Sequence, residues 1–177
     1  MRNVFVASVA VLALAGCSKQ DQTGQGSINQ TRITAPASAV AAAAVSGAKA
    51  KAVMHERHDG MEKVGKAMKL LARQIKSGAP DMAVVKTNAA AMNALARKSS
   101  AWFPAGTGPA AGKTGAKAEI WQKPDDFAAK MKAFQSAAVS LNSAAQGGNP
   151  ASVTAAFGDL GKSCKSCHDS YRTEMHH

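Results

Sequence analysis

The chain has 177 residues, with 22 Lys and Arg against 11 Asp and Glu and a formal net charge of +11. That length suits one ordinary domain with tails, and the charge points to acidic or anionic partners. Aromatics are only 5% of residues and alanine is abundant, which argues against a β-sandwich or barrel and for helices. A single short apolar run near the N-terminus excludes a polytopic membrane protein. Three cysteines, at 17, 164 and 167, are too few and too unevenly spaced for a disulfide scaffold.

The first element in chain order is Met1-Arg2-Asn3 followed by an apolar run from Val4 to Cys17. One positive charge and a run too short to span a bilayer read as a secretory signal over residues 1–16. Leu14-Ala15-Gly16-Cys17 resembles a bacterial lipobox, in which the thiol is lipidated and cleavage leaves Cys17 as the first residue. The resemblance implies a periplasmic protein anchored to a membrane by lipid. Ser18 after the cysteine, rather than an aspartate, resembles lipoproteins sorted to the outer membrane. The competing reading is a plain signal peptide with an incidental cysteine. Residues 17–47, rich in Gln, Ser, Thr, Gly and Ala, cannot bury enough apolar surface to fold and read as a flexible tether. A chain of that length spans roughly 30 Å. Its Ala37–Val45 run is a candidate backward extension of the first helix.

Residues 48–177 carry four stretches of helical period and no convincing strand alternation. The first places Met54, Met61, Val64, Met68, Leu71 and Ile75 on a stripe and stops at Ser77-Gly78 with Pro80 beyond. The second starts at Asp81, aligns Met82, Val85, Ala89, Met92 and Leu95, and ends before Trp102-Phe103-Pro104. A Gly/Pro/Ala loop runs on to Gly115. The third has Pro124 in its first turn beside Asp125 and Asp126, where carboxylates suit the helix dipole, and a stripe Phe127, Met131, Phe134, Ala138, Leu141, Ala145. The fourth opens on Asn149-Pro150, a capping residue followed by proline, with the stripe Val153, Phe157, Leu160, Cys164, Cys167, Tyr171. Four such helices with one long middle connection predict an all-α, antiparallel four-helix bundle, and about 130 residues suffice for its core.

Cys164-Lys165-Ser166-Cys167-His168 is the C-x-x-C-H attachment motif of c-type haem. Two thiols one turn apart can each form a thioether, and the adjacent His168 is carried to the iron as an axial ligand. A thioredoxin-like pair would need a helix N-terminus after a strand. A zinc site would need further ligands, for which only His176 and His177 stand near. A disulfide within one helix would add little. One covalent haem near the C-terminus is therefore the expectation.

The placement of that motif on the last helix, continuing to Tyr171-Arg172, resembles the class II c-type cytochromes, the cytochrome c′ family and its low-spin relatives. Arg57-x-x-x-Met61, Phe103-Pro104-x-Gly106, Glu119-Ile120-Trp121 and Phe127 add to the likeness, which covers the chain after the tether. The resemblance implies that Met61 lies on the distal face, opposite His168. In cytochromes c′ the equivalent side chain blocks the iron without binding it, leaving a five-coordinate centre that takes NO or CO. In the low-spin relatives a methionine from this helix is the sixth ligand and the protein is an electron carrier. Met61-x-x-x-Gly65-x-x-Met68 and Lys76-x-Gly78-x-Pro80 look closer to the low-spin members, so the expectation is a one-electron carrier ligated by His168 and Met61. The five-coordinate gas-binding cytochrome is the alternative, and Met61 as plain core packing is the bland one. An enzyme is not expected, since only His58 and Asp59 offer an acid–base pair near the distal face.

Arg57 shares the apolar face of the first helix, where a buried guanidinium needs an anion; a haem propionate is the expected one. The resemblance places Arg172 beside the proximal imidazole as a positive charge. His58, and less so His55, stand as alternative axial ligands. Between Lys63 and Lys117 there are ten basic residues and one acid, Asp81, with Lys66, Lys69, Arg73 and Lys76 on a single stripe. Such a run is either a solvated face or a docking surface for an acidic redox partner or an anionic membrane. Export and the lack of interleaved aromatics argue against nucleic acid. Relatives of this kind often pair through their first two helices, which makes a homodimer an expectation too.

Overall fold

The computed structural model describes residues 44, 45 and 47–173. The signal over 1–16, its Cys17, and almost all of the tether lie outside them, as do His176 and His177. Of the Ala37–Val45 run only Ala44 and Val45 are described, and neither is helical.

The elements in order are α1 (Gly47–Lys76), α2 (Met82–Lys98), the one-turn α3 (Glu119–Gln122), α4 (Pro124–Gly147) and α5 (Pro150–Tyr171). Short 3-10 turns cover Ser99–Trp102 and Pro109–Ala111. The four long helices form the expected antiparallel bundle, with α1–α2 and α4–α5 as hairpins and α2 packed on α4. Among the described residues there is no strand, and none of the helices is long and apolar enough to cross a membrane.

The helix ends follow local chemistry. Asp81 caps α2 by accepting from Ala83 N–H at 2.8 Å and Val84 N–H at 3.3 Å. Asn149 caps α5 through Ser152 N–H at 3.1 Å, with Pro150 in the first turn, where its missing N–H costs nothing. Gly148, at φ +74°, closes α4 in the left-handed conformation.

The stripes of α2, α4 and α5 meet in one core, with Val85, Met92, Ala138, Leu141 and Leu160 fully buried. Helix α1 departs from the expected register. Its buried face is Ala50, Arg57, Gly60, Val64, Ala67 and Leu71, whereas Met54, Met61, Met68 and Ile75 are only half-buried. Small residues draw the face inward because they let the neighbouring side chains approach the helix backbone. A second cluster, Ala116, Ile120 and Tyr171 with Phe103, Trp121 and Phe127 around it, fills the end of the bundle where α5 terminates.

Candidate functional site

Cys164 and Cys167 are free thiols, half-buried one turn apart in the last third of α5. Cys164 packs on the main core and Cys167 on the second cluster, so the two sulfurs bracket the seam between them. Burial pushes both thiols above their ordinary range. For Cys167 the ammonium of Lys130, which donates to Ser166 Oγ at 3.1 Å, pulls the other way. His168 is held below the usual histidine range by burial and then by the nearby Arg172. Its imidazole is thus neutral at neutral pH, the form in which a histidine binds a metal.

The turn that carries His168 is fixed from several sides. Lys117 N–H donates to Tyr171 O at 2.9 Å, Thr173 N–H to Gly115 O at 2.9 Å, and Arg172 N–H to His168 O at 3.0 Å. Tyr171, 4% exposed, donates its phenol O–H to the carboxylate of Asp126 in the first turn of α4. That bond and burial push the tyrosine up to about 12. Arg172 itself is exposed, and its side chain acts on His168 only through its charge.

An aromatic chain connects this turn to α1. The ring of Tyr171 meets Phe127 edge-on at 5.3 Å, and Phe127 meets Phe103 at 4.9 Å. The Arg57 guanidinium lies 5.1 Å from the Phe103 ring centroid and 5.8 Å from that of Trp121. Arg57 is only 5% exposed, and burial lowers its pKa. Sequence reasoning expects an anion beside it. Among the described residues its protein partners all lie in the 102–114 loop. Nη1 donates to Trp102 O at 3.1 Å and Thr107 Oγ1 at 3.2 Å; Nη2 donates to Thr107 O at 2.9 Å and Thr114 Oγ1 at 3.0 Å. One side chain therefore ties down the start, middle and end of the long connection. Gly106, at φ +84°, completes that loop, since a Cβ there would meet Val45 O at 2.1 Å.

Met61 lies one turn beyond Arg57 on the same side of α1, half-buried, outside the set of side chains that pack on either apolar cluster. The two histidines weighed as alternative ligands face away. His55 and His58 are exposed and sit 3.2 Å from Asp59 and 3.4 Å from Glu62 along the outer side of the helix. A helix turns 100° per residue, so His58 cannot share the buried direction of Arg57.

Sequence reasoning missed Gly60, Trp102, Thr107, Thr114 and the Tyr171–Asp126 bond. Only Gly60, a glycine inside a strong helix, carries a local signal.

The rival chemistries for the cysteines find no support in this geometry. The pair lies late in α5 rather than at a helix N-terminus, and no group of three His, Cys, Asp or Glu side chains converges among the described residues. Two unpaired thiols at a one-turn spacing, a neutral imidazole beside them, and an apolar seam between two clusters fit a covalently held haem.

Known proteins agree. Residues 52–172 match the family model for cytochrome c′. The cytochrome c′ of Pararhodospirillum photometricum is 35% identical over 122 residues, covering 69% of this chain and 97% of the relative. That of Alcaligenes xylosoxydans xylosoxydans is 40% identical over 99 residues, covering 55% and 75%. The crystal structure of cytochrome c′ from Thermochromatium tepidum superposes with a TM-score of 0.67 at 28% identity, over 75% of this chain and all of that one. The relatives favour the five-coordinate alternative over the His/Met reading drawn from the Met61–Gly65–Met68 pattern. The chain belongs to the cytochrome c′ family, the class II c-type cytochromes, and carries a single covalently attached c-type haem.

Proposed function

We propose that this protein is a diatomic-gas-binding cytochrome c′, with His168 as the only strong axial ligand and Met61 guarding the opposite face. The observation that carries the reading is the match of the whole bundle to cytochromes c′, including a ferrous variant from Alcaligenes xylosoxidans solved with bound NO (32% identity, TM-score 0.66). When bound, the haem supplies a one-electron couple and, with its sixth position open, a site for NO or CO. The chain's own residues do the rest. Cys164 and Cys167 hold the group covalently, and His168 stays neutral because it is buried near Arg172. Met61 offers an apolar, polarisable side chain that admits a small neutral ligand and excludes water. Arg57 ties the 102–114 loop to α1 while its guanidinium lies against Phe103 and Trp121.

The second reading is a plain electron carrier in which Met61 is the sixth ligand; its support is that Met61 is committed to neither apolar cluster. Stopped-flow mixing of the reduced holoprotein with CO separates the two. If Met61 only guards the face, Met61→Ala speeds CO association by tenfold or more, equivalent to lowering the entry barrier by about 1.4 kcal/mol. CO uptake by the variant alone places Met61 on the iron.

In this account the protein is exported, lipidated at Cys17 and held at the periplasmic side of the outer membrane, and it does not turn over a substrate. Its net charge of +11 supports an anionic partner. A related cytochrome c′ structure is described as showing ligand-controlled dimer dissociation. For this chain, pairing through α1 and α2 brings two basic faces together, so any dimer forms more readily as salt rises.

A further inference from the structure

Most of the excess positive charge sits on α1 and α2. Between residues 63 and 98, on α1 and α2, eight lysines and arginines stand against one carboxylate, Asp81. That carboxylate is already engaged in capping α2. Between residues 124 and 171, on α4 and α5, four lysines stand against four aspartates. Two of those pairs are closed, Lys162–Asp159 at 2.9 Å and Lys165–Asp169 at 2.6 Å, and Asp126 accepts from Tyr171. The half that carries the C-x-x-C-H motif is therefore balanced, and the α1–α2 half carries the excess.

The geometry of the excess is a line. Lys66, Lys69, Arg73 and Lys76 are all exposed along one side of α1. Their only ion pair among the described residues is a loose one, Lys66 to Glu62 at 3.6 Å with the lysine 74% exposed. At 1.5 Å per residue the line starts about 14 Å along α1 from Arg57 and ends about 28 Å away. A redox partner must approach the group held on α5, and a stripe running away from that end serves it poorly. Among the described residues the only large apolar side chain left exposed is Val139, on α4, so the α1–α2 face presents no fully exposed large apolar side chain to insert into a membrane. An extended cationic line without apolar anchors matches an extended anionic plane.

We propose that the outer face of α1 and α2 lies on an anionic phospholipid surface through Lys66, Lys69, Arg73 and Lys76, with the α5 end left open to the aqueous side. The proposal is independent of what fills the sixth position of the iron. Its test uses holoprotein exported on an unrelated cleavable signal so that the mature chain starts at Ser18, and neither an acyl chain nor the apolar leader contributes. Cosedimentation is measured with vesicles of phosphatidylcholine alone and with vesicles containing phosphatidylglycerol, at low salt. Binding is expected only with phosphatidylglycerol and fades as ionic strength rises. Replacing the four stripe residues by Gln weakens it by a hundredfold or more, at about fivefold per charge. Replacing the exposed Lys113, Lys123, Lys132 and Lys162 by Gln removes the same net charge and costs less than tenfold. Haem absorption and circular dichroism confirm that both variants fold. Equal losses in the two variants, or no binding to phosphatidylglycerol vesicles, overturns the proposal. So does an absence of vesicle binding combined with stripe-dependent capture of an acidic redox protein.

Discussion

Gly60 on α1 lies directly under the indole of Trp102: a methyl group built on it would meet Cη2 and Cζ2 at 2.4 Å. Trp102 is 2% exposed, and its carbonyl is an acceptor for Arg57. The missing side chain at position 60 thus sets how closely the end of α2 and the following loop approach the helix that carries Arg57 and Met61. Gly60→Ala should lose about 1–3 kcal/mol to overpacking, despite a helix-propensity gain of up to about 1 kcal/mol. Gly158→Ala is the matched comparison, because Gly158 is exposed on α5 with nothing within 4 Å, and it should gain about 0.5–1 kcal/mol. Thermal unfolding of the two holoproteins checks the opposite signs.

Arg57 is a second point of leverage. Its four hydrogen bonds reach residues 45 to 57 positions away, two of them to buried main-chain carbonyls. A lysine keeps the charge but cannot span Trp102, Thr107 and Thr114 at once. Arg57→Lys should therefore destabilise the protein by about 2–3 kcal/mol, the cost of leaving buried acceptors unpaired. Amide exchange should rise first in residues 102–114, and a denaturant titration followed by exchange at those amides measures both effects.

The Tyr171–Asp126 bond gives a pH dependence with a definite sign. Tyr171 is raised from 10.0 to about 12 in the folded chain, chiefly by the bond to Asp126. A proton held more tightly in the folded state stabilises it below the unfolded value, and that contribution is lost as pH climbs from about 10 to about 12. Tyr171→Phe should lower the melting temperature at neutral pH and flatten this alkaline loss. Melting curves across that range, compared between the two proteins, decide it. An unchanged alkaline slope would mean that Tyr171 is not the group responsible.

Much of this architecture is legible in the sequence, for local reasons. Asp81, Pro124 and Asn149-Pro150 mark helix starts because capping and proline geometry act within a few residues. The stripes of α2, α4 and α5 stand out because large apolar residues recur on one face, and C-x-x-C-H declares its chemistry by spacing alone. The α1 register is not legible in the same way. Three methionines with Val64, Leu71 and Ile75 signal hydrophobicity on that helix, yet Gly60 and Ala67 help define its buried face because they are small. The loop beyond Trp102 and the Tyr171–Asp126 bond depend on partners tens of residues apart, which no local pattern encodes. The coordination at Met61 is hidden for another reason. A blocking methionine and a ligating one share the same spacing and differ only by a small displacement of the helix.

The most direct test of the central claim is the absorption spectrum of the dithionite-reduced holoprotein before and after addition of CO. An iron held by His168 with an open sixth position gives a broad, unsplit visible band that shifts when CO is added. Sharp, split bands that do not respond to CO would contradict the account and make Met61 the sixth ligand of an electron carrier.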